Sequence, residues 1–62
     1  MRLREIRKRK GLTQAELSKR SHINRVCISQ YETGVKRPNV DNLKRLAVAL
    51  GVSTDELLGV SA

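Results

Sequence analysis

The sequence predicts an all-α fold of five short helices, and three observations point there. All four glycines, Gly11, Gly34, Gly51 and Gly59, stand just past the end of an apolar helical stripe, where a left-handed residue closes a last turn. Polar capping residues stand just ahead of the stripes that follow. Apolar residues recur at helical spacing, and no alternating stretch competes as a strand. With 62 residues there is room for one domain over 1–62 and no second core. The apolar 39% includes one Tyr and no Trp or Phe, so that core must be aliphatic.

The first helix is expected over about 2–10, with Leu3 and Ile6 on one face and Gly11 as its stop. The second runs over 14–21. Thr13 and Glu16 form a capping-box pattern at its start, and Leu12 with Leu17 supplies the hydrophobic staple. It leaves through Ser21-His22-Ile23, where the other helix ends predict Gly and the chain has His22. His is enriched in the left-handed region, so His22 reads as a turn residue with an exposed ring. A phosphate contact or a pH-sensing role is the sharper alternative. The third helix, over 25–33, takes Asn24 as N-cap, with Ile23 and Ile28 at staple spacing. The fourth, over 40–50, follows Pro38 and Asn39 and carries a stripe of Val40, Leu43, Leu46, Ala47 and Leu50. The fifth, over 54–58, repeats the capping box with Ser53 and Glu56 and the staple with Val52 and Leu57.

Helices two and three flank a three-residue turn. Within Thr13–Gly34 that spacing makes a helix-turn-helix unit able to offer its second helix to a DNA groove. Charge agrees. Residues 1–10 carry +5, residues 11–37 carry +3 and residues 38–62 carry −1, for a net +7. A field concentrated in the first two-thirds suits a polyanion on that side.

Along most of its length the chain resembles the Cro/C1-type, or XRE-type, helix-turn-helix family of phage repressors and bacterial regulators. The resemblance rests on Leu3-Arg4 and Arg7, on Gly11-Leu12-Thr13-Gln14 with Glu16-Leu17, and on Ile28-Ser29, Glu32 and Gly34. It continues through Arg37-Pro38, Ala49-Leu50-Gly51-Val52 and Glu56-Leu57-Leu58. Two positions depart from the pattern: Ser18 stands where Ala is usual, and His22 where Gly is usual. The resemblance implies a compact five-helix, lambda-repressor-like DNA-binding domain whose third helix is the recognition helix.

The facing of that helix also follows from periodicity. Ile23, Ile28 and Tyr31 point to the core, which leaves Arg25, Val26, Ser29, Gln30 and Thr33 outside. Arg25 suits a bidentate contact to guanine, Gln30 suits adenine or guanine edges, and Val26 suits the thymine methyl. Ser29 and Thr33, with Asn24 at the helix start and Lys36 and Arg37 in the loop beyond, are the phosphate-contacting candidates. Gln14 opens the second helix, where free amides favour a phosphate. The resemblance adds that a Gln here binds phosphate and braces the first recognition side chain, Arg25. It further implies an ion pair between Arg7 and Glu32 that locks the first helix to the third.

Other functions find little support. One His and one Cys lie five residues apart with no carboxylate to complete a nucleophile–base arrangement, so an enzyme is not expected. Metal ligation would need more His, Cys or clustered acids, and no cofactor or small-molecule ligand is expected. Cys27 reads as a semi-buried filler, with a redox-sensitive thiol as the alternative. A single cysteine and the lack of a long apolar run suit a soluble cytoplasmic protein. Leu57, Leu58 and Val60 are more apolar than a small monomer needs on its surface, so they are the expected homodimer interface. A two-fold dimer would read a roughly palindromic double-stranded DNA operator, most simply as a repressor. Two alternatives stay open: an antitoxin or controller protein on the same fold, and a basic membrane-surface peptide. The latter has only Leu3 and Ile6 to bury from its first helix.

Overall fold

A computed structural model describes residues 1–60 of the chain. Five helices follow in order: α1 (Leu3–Arg9), α2 (Gln14–Ser21), α3 (Arg25–Thr33), α4 (Val40–Leu50) and α5 (Thr54–Leu58). No strand occurs among the described residues. α2 packs against α3 and α4, α4 against α5, and α1 against both α3 and α5.

Each of the four later helix starts has a physical cause. Thr13 Oγ1 accepts from the Glu16 amide at 3.1 Å while Glu16 Oε1 accepts from the Thr13 amide at 3.0 Å, a complete capping box. Asn24 Oδ1 accepts from the Val26 amide and Asn39 Oδ1 from the Asn42 amide, both at 2.8 Å. Ser53 Oγ accepts from the Glu56 amide at 3.1 Å, but no return bond from the Ser53 amide to the Glu56 carboxylate forms. The expected second box is therefore half a box. These caps satisfy first-turn amides that have no carbonyl one turn back, at about 1 kcal/mol each.

The core is aliphatic, as composition requires. Leu3, Ile6, Leu12, Leu17, Ile23, Ile28, Tyr31, Leu46, Ala47, Leu50 and Leu57 are buried, with Leu43, Ala49, Val52 and Cys27 packed against them. Val40, expected at the head of the α4 stripe, stays 67% exposed, so the buried stripe begins at Leu43. The lone aromatic finds a partner for its hydroxyl: Tyr31 Oη accepts from Asn42 Nδ2 at 3.0 Å and ties α3 to α4. The chain start is stapled to its end by the Arg2 amide, which donates to the Leu57 carbonyl at 2.8 Å.

The turn between α2 and α3 carries the chain's one unusual backbone. His22 has φ 58° and ψ 31°, the left-handed conformation, and among the described residues it is the only non-glycine at positive φ. The residue is exposed, as expected for a turn histidine. Gly34, by contrast, closes α3 at φ 82° without a Cβ to strain. Ser18 helps hold the turn: its Oγ donates to the Ile23 carbonyl at 2.6 Å. Ser21 Oγ donates back to the Leu17 carbonyl at 2.7 Å in the last turn of α2. The Ser at position 18 thus supplies a bond that an Ala there could not.

Because a β-carbon in the left-handed region costs roughly 1–2 kcal/mol, partly recovered for His, His22→Gly should stabilise the fold by up to about 1 kcal/mol. Thermal unfolding followed by circular dichroism should show the midpoint rising by several degrees. An unchanged or lower midpoint would mean that the imidazole makes compensating contacts.

Candidate nucleic-acid interface

Arg7 is a buried arginine on α1, 8% exposed, and all three of its guanidinium nitrogens are engaged. Its Nε donates to Glu32 Oε2 at 2.6 Å, its Nη2 to Glu32 Oε1 at 3.1 Å and its Nη1 to the Leu12 carbonyl at 2.7 Å. Glu32 Oε1 also accepts from Gln14 Nε2 at 3.1 Å. One carboxylate therefore holds α1, the start of α2 and the end of α3 together, while Arg7 also pins the α1–α2 connection. The fork-on-carboxylate geometry is what makes an arginine suited to this place.

Burial is the largest single influence on the Glu32 carboxyl and pushes its pKa up. Hydrogen bonds from Arg7 and Gln14, with the Arg7 and Arg4 charges, outweigh it and hold the carboxyl below its ordinary value of 4.5. Glu32 is the only acid on α3, and its charge is compensated inside the protein. The outward face of α3 is thereby left without a free negative group.

That face carries Arg25, Val26 and Thr33, all exposed, with Val26 63% open. Ser29 and Gln30, which periodicity puts fully outside, are only half-exposed. They flank Ile28 and Tyr31, whose burial draws part of their surface into the helix packing. Thr33 Oγ1 donates back to the Ser29 and Gln30 carbonyls, at 3.1 and 3.3 Å. Arg25 opens the helix at its positive end, where a cation is disfavoured by a few tenths of a kcal/mol. An anion bound at that end reverses the penalty.

Around α3 the remaining candidates divide. Lys36 and Arg37 are both exposed in the loop after Gly34, and neither forms an ion pair among the described residues. Asn24 is exposed, but its side-chain oxygen is committed to the Val26 amide, which leaves its NH2 as the free donor. Gln14 stands at the head of α2, and its amide nitrogen bonds Glu32 and not Arg25. The carboxylate is a charged acceptor for that nitrogen, whereas an arginine, a donor only, could meet Gln14 solely through its side-chain oxygen. The Gln14 side-chain oxygen is left free of that bond, and the first-turn amides of Gln14 and Ala15 lack an intrahelical carbonyl.

Of the three residues expected at a dimer interface, Leu57 is wholly buried in the core and cannot form a contact surface. Its neighbours remain available: Leu58 is 44% and Val60 60% exposed. Leu57 is the residue of α5 that turns inward, and Leu58, about 100° further round the helix, turns out. Three features are not visible in the sequence: the Ser18 bond across the turn, the Arg7 bond to Leu12, and Gln14 on Glu32. Each joins groups through backbone carbonyls or flexible polar side chains, which leave no periodic signature. No group of three or more His, Cys, Asp or Glu that could hold a metal occurs among the described residues. No helix there is long and apolar enough to cross a membrane.

The family model for helix-turn-helix proteins matches residues 3–57, and the chain belongs to that family. It is 38% identical over 56 residues to the HTH-type transcriptional activator BcrR of Enterococcus faecalis, covering 90% of this chain and 28% of the relative. It is 40% identical over 58 residues to the HTH-type transcriptional regulator ImmR of Bacillus subtilis strain 168, covering 94% and 46% respectively. Against repressor protein C2 of Salmonella phage P22 the identity is 42% over 57 residues, covering 92% and 26%. The chain spans less than half the length of each of these relatives. No solved structure matches it significantly.

Glu32→Gln should strand a buried Arg7 and cost about 3–5 kcal/mol, read as a lower denaturation midpoint. The Glu32 carboxyl titrates lower in the folded chain than unfolded, so its stabilisation is complete above about pH 4.5 and is lost as pH falls through the folded value. Wild-type stability should therefore drop on acidification below about pH 4.5, and Glu32→Gln should flatten that part of the profile. Identical profiles would remove Glu32 from the account.

Proposed function

We propose that the chain binds double-stranded DNA in a sequence-specific manner as a transcriptional regulator, with α3 lying in the major groove. The observation that carries this reading is the outward face of α3. It is rigidly held by the Arg7–Glu32–Gln14 network, has no uncompensated acid, and presents Arg25 and Val26 to solvent. Arg25 forks onto guanine, Val26 meets a thymine methyl, and Gln30 reads an adenine or guanine edge from its half-exposed position. Gln14, Asn24, Ser29, Thr33, Lys36 and Arg37 set the register through phosphates. The network prepares Gln14 for a phosphate, since Glu32 takes its nitrogen and so fixes the side chain beside the free amides at the head of α2.

The regulator acts in the cytoplasm as a repressor, because occupying an operator blocks a promoter with no further contact surface required. A homodimer places two α3 helices one DNA turn apart on a roughly palindromic site. Leu58 and Val60 supply the apolar contact, while Leu57 anchors α5 from behind. All 1–62 serve this one DNA-binding domain.

Selection from a random duplex pool should return an inverted repeat. Against that sequence, Arg25→Ala and Gln30→Ala should each lose about 1–3 kcal/mol of binding and relax preference at one base position. Lys36→Ala and Arg37→Ala should weaken all duplexes alike and lower the log-log salt slope by about 1 per phosphate contact. Equal loss on specific and random duplexes for Arg25→Ala would remove it from base reading. Leu58→Asp should shift sedimentation of the free chain towards monomer, and an unaltered distribution would refute that interface.

A further inference from the structure

A second charged surface lies between α2 and α4. Arg20, Ser21 and His22 at the end of α2 and Lys44, Arg45 and Val48 on α4 line a groove of about 290 Å³. Arg20, His22, Lys44, Arg45 and Val48 are all exposed, and Val48, at 81%, is the most exposed large apolar residue among those described. Two arginines, a lysine and an imidazole thus stand around one exposed valine, with no carboxylate in the lining.

Those cations are not consumed by the fold. The ion pairs among the described residues join Arg2 and Arg9 to Glu5 and Arg7 to Glu32, and none involves Arg20, Lys44 or Arg45. Asp41 is the only acid on α4, one turn from Lys44 and Arg45, yet it comes within ion-pair distance of neither. Glu16, one turn before Arg20, is committed to the capping box. Arg20 shares only a longer-range attraction with Glu16, and none of the three cations is held in an ion pair among the described residues.

We infer that this groove is a docking site for an acidic, amphipathic segment of a partner protein. Its carboxylates meet Arg20, His22, Lys44 and Arg45, and one aliphatic or aromatic side chain covers Val48. Two other occupants fit less well. A second copy docking symmetrically would bring like charge onto like charge, and a head-to-tail contact would leave a groove open at the end of each assembly. A DNA backbone would neutralise the cations but leave the exposed Val48 uncovered. It is also served by the opposite end of α2, roughly 10 Å away along the helix, where Gln14 stands at the free amides. The inference does not depend on DNA binding, because no residue of the groove belongs to the proposed DNA contacts.

The test uses the full chain and a fluorescently labelled peptide of about 15 residues with Glu and Leu at helical spacing. Anisotropy titration should give saturable binding that Lys44→Glu with Arg45→Glu weakens at least about tenfold, and Val48→Ser about threefold. Lys8→Glu with Lys10→Glu, an equal charge change on α1 and its C-cap, should leave peptide binding within about twofold. Circular dichroism melts verify folding, and Val48→Ser keeps the test open should the charge reversal unfold the chain. Affinity for the selected DNA should be unchanged in the groove variants. Three results would each overturn the proposal. Equal weakening by the α1 variant would mean diffuse attraction to a basic chain. DNA affinity falling in step with peptide affinity would make the groove a phosphate contact. Self-association abolished by the groove variants would make its occupant a second copy. Failure to bind any duplex, with peptide binding intact, would refute the regulator reading and leave this one standing.

Discussion

A single carboxylate, Glu32, organises this small fold. Arg7 reaches it from α1 with two nitrogens and spends a third on the Leu12 carbonyl, while Gln14 reaches it from α2. The pair's side chains are 10% and 4% exposed, so water competes little for those bonds. Burying two charges gains little net free energy against an apolar alternative of the same shape. What it fixes is geometry, because the guanidinium fork donates to its carboxylate in one orientation. Elements that an aliphatic core alone would let slide are thereby held at one spacing, which is what reading a groove demands. Losing either partner would strand the other inside the protein.

The turn between α2 and α3 is under a second constraint. The chain passes from α2 to α3 within three residues, and that reversal runs through a left-handed backbone at His22. The strain is met by neighbouring bonds. Ser18 donates across the turn to Ile23, Asn24 caps the next helix, and Ile23 and Ile28 are buried beneath. Ser18 and His22, the two departures from the family pattern, thus belong to one turn. One adds a bond spanning it and the other adds strain.

Charge is partitioned over the surface as well as along the sequence. Three acids are withdrawn into local roles, with Glu32 in the buried pair, Glu16 in a cap and Glu5 between Arg2 and Arg9. Many basic residues stay outside those pairs, among them Arg4, Lys8 and Lys10 on and after α1, and two further positive surfaces stand out. One follows α3 and the loop after it; the other is the groove between α2 and α4 with its exposed valine. The first pairs its cations with groups able to discriminate base edges, the second with one exposed valine. Those pairings suit different chemistries of partner.

Caps, glycine stops and apolar periodicity are local rules, acting over one turn of chain, and they place all five helices to within a residue or so. They also assign Ile23, Ile28 and Tyr31 inward and put a turn histidine at position 22. The Arg7–Glu32 pair is legible only through resemblance, since residues 25 apart leave no local pattern. Decisions between neighbours on one face belong to the tertiary structure. Val40 stays exposed while Asn42 in the same turn meets Tyr31, Leu57 is drawn into the core while Leu58 is left out, and Gln30 is half-covered beside Tyr31. Gln14 likewise bonds Glu32 because three helices bring that carboxylate within reach. Sequence determines what each residue can do within its own turn, and the packing of distant segments decides which partner or surface it meets.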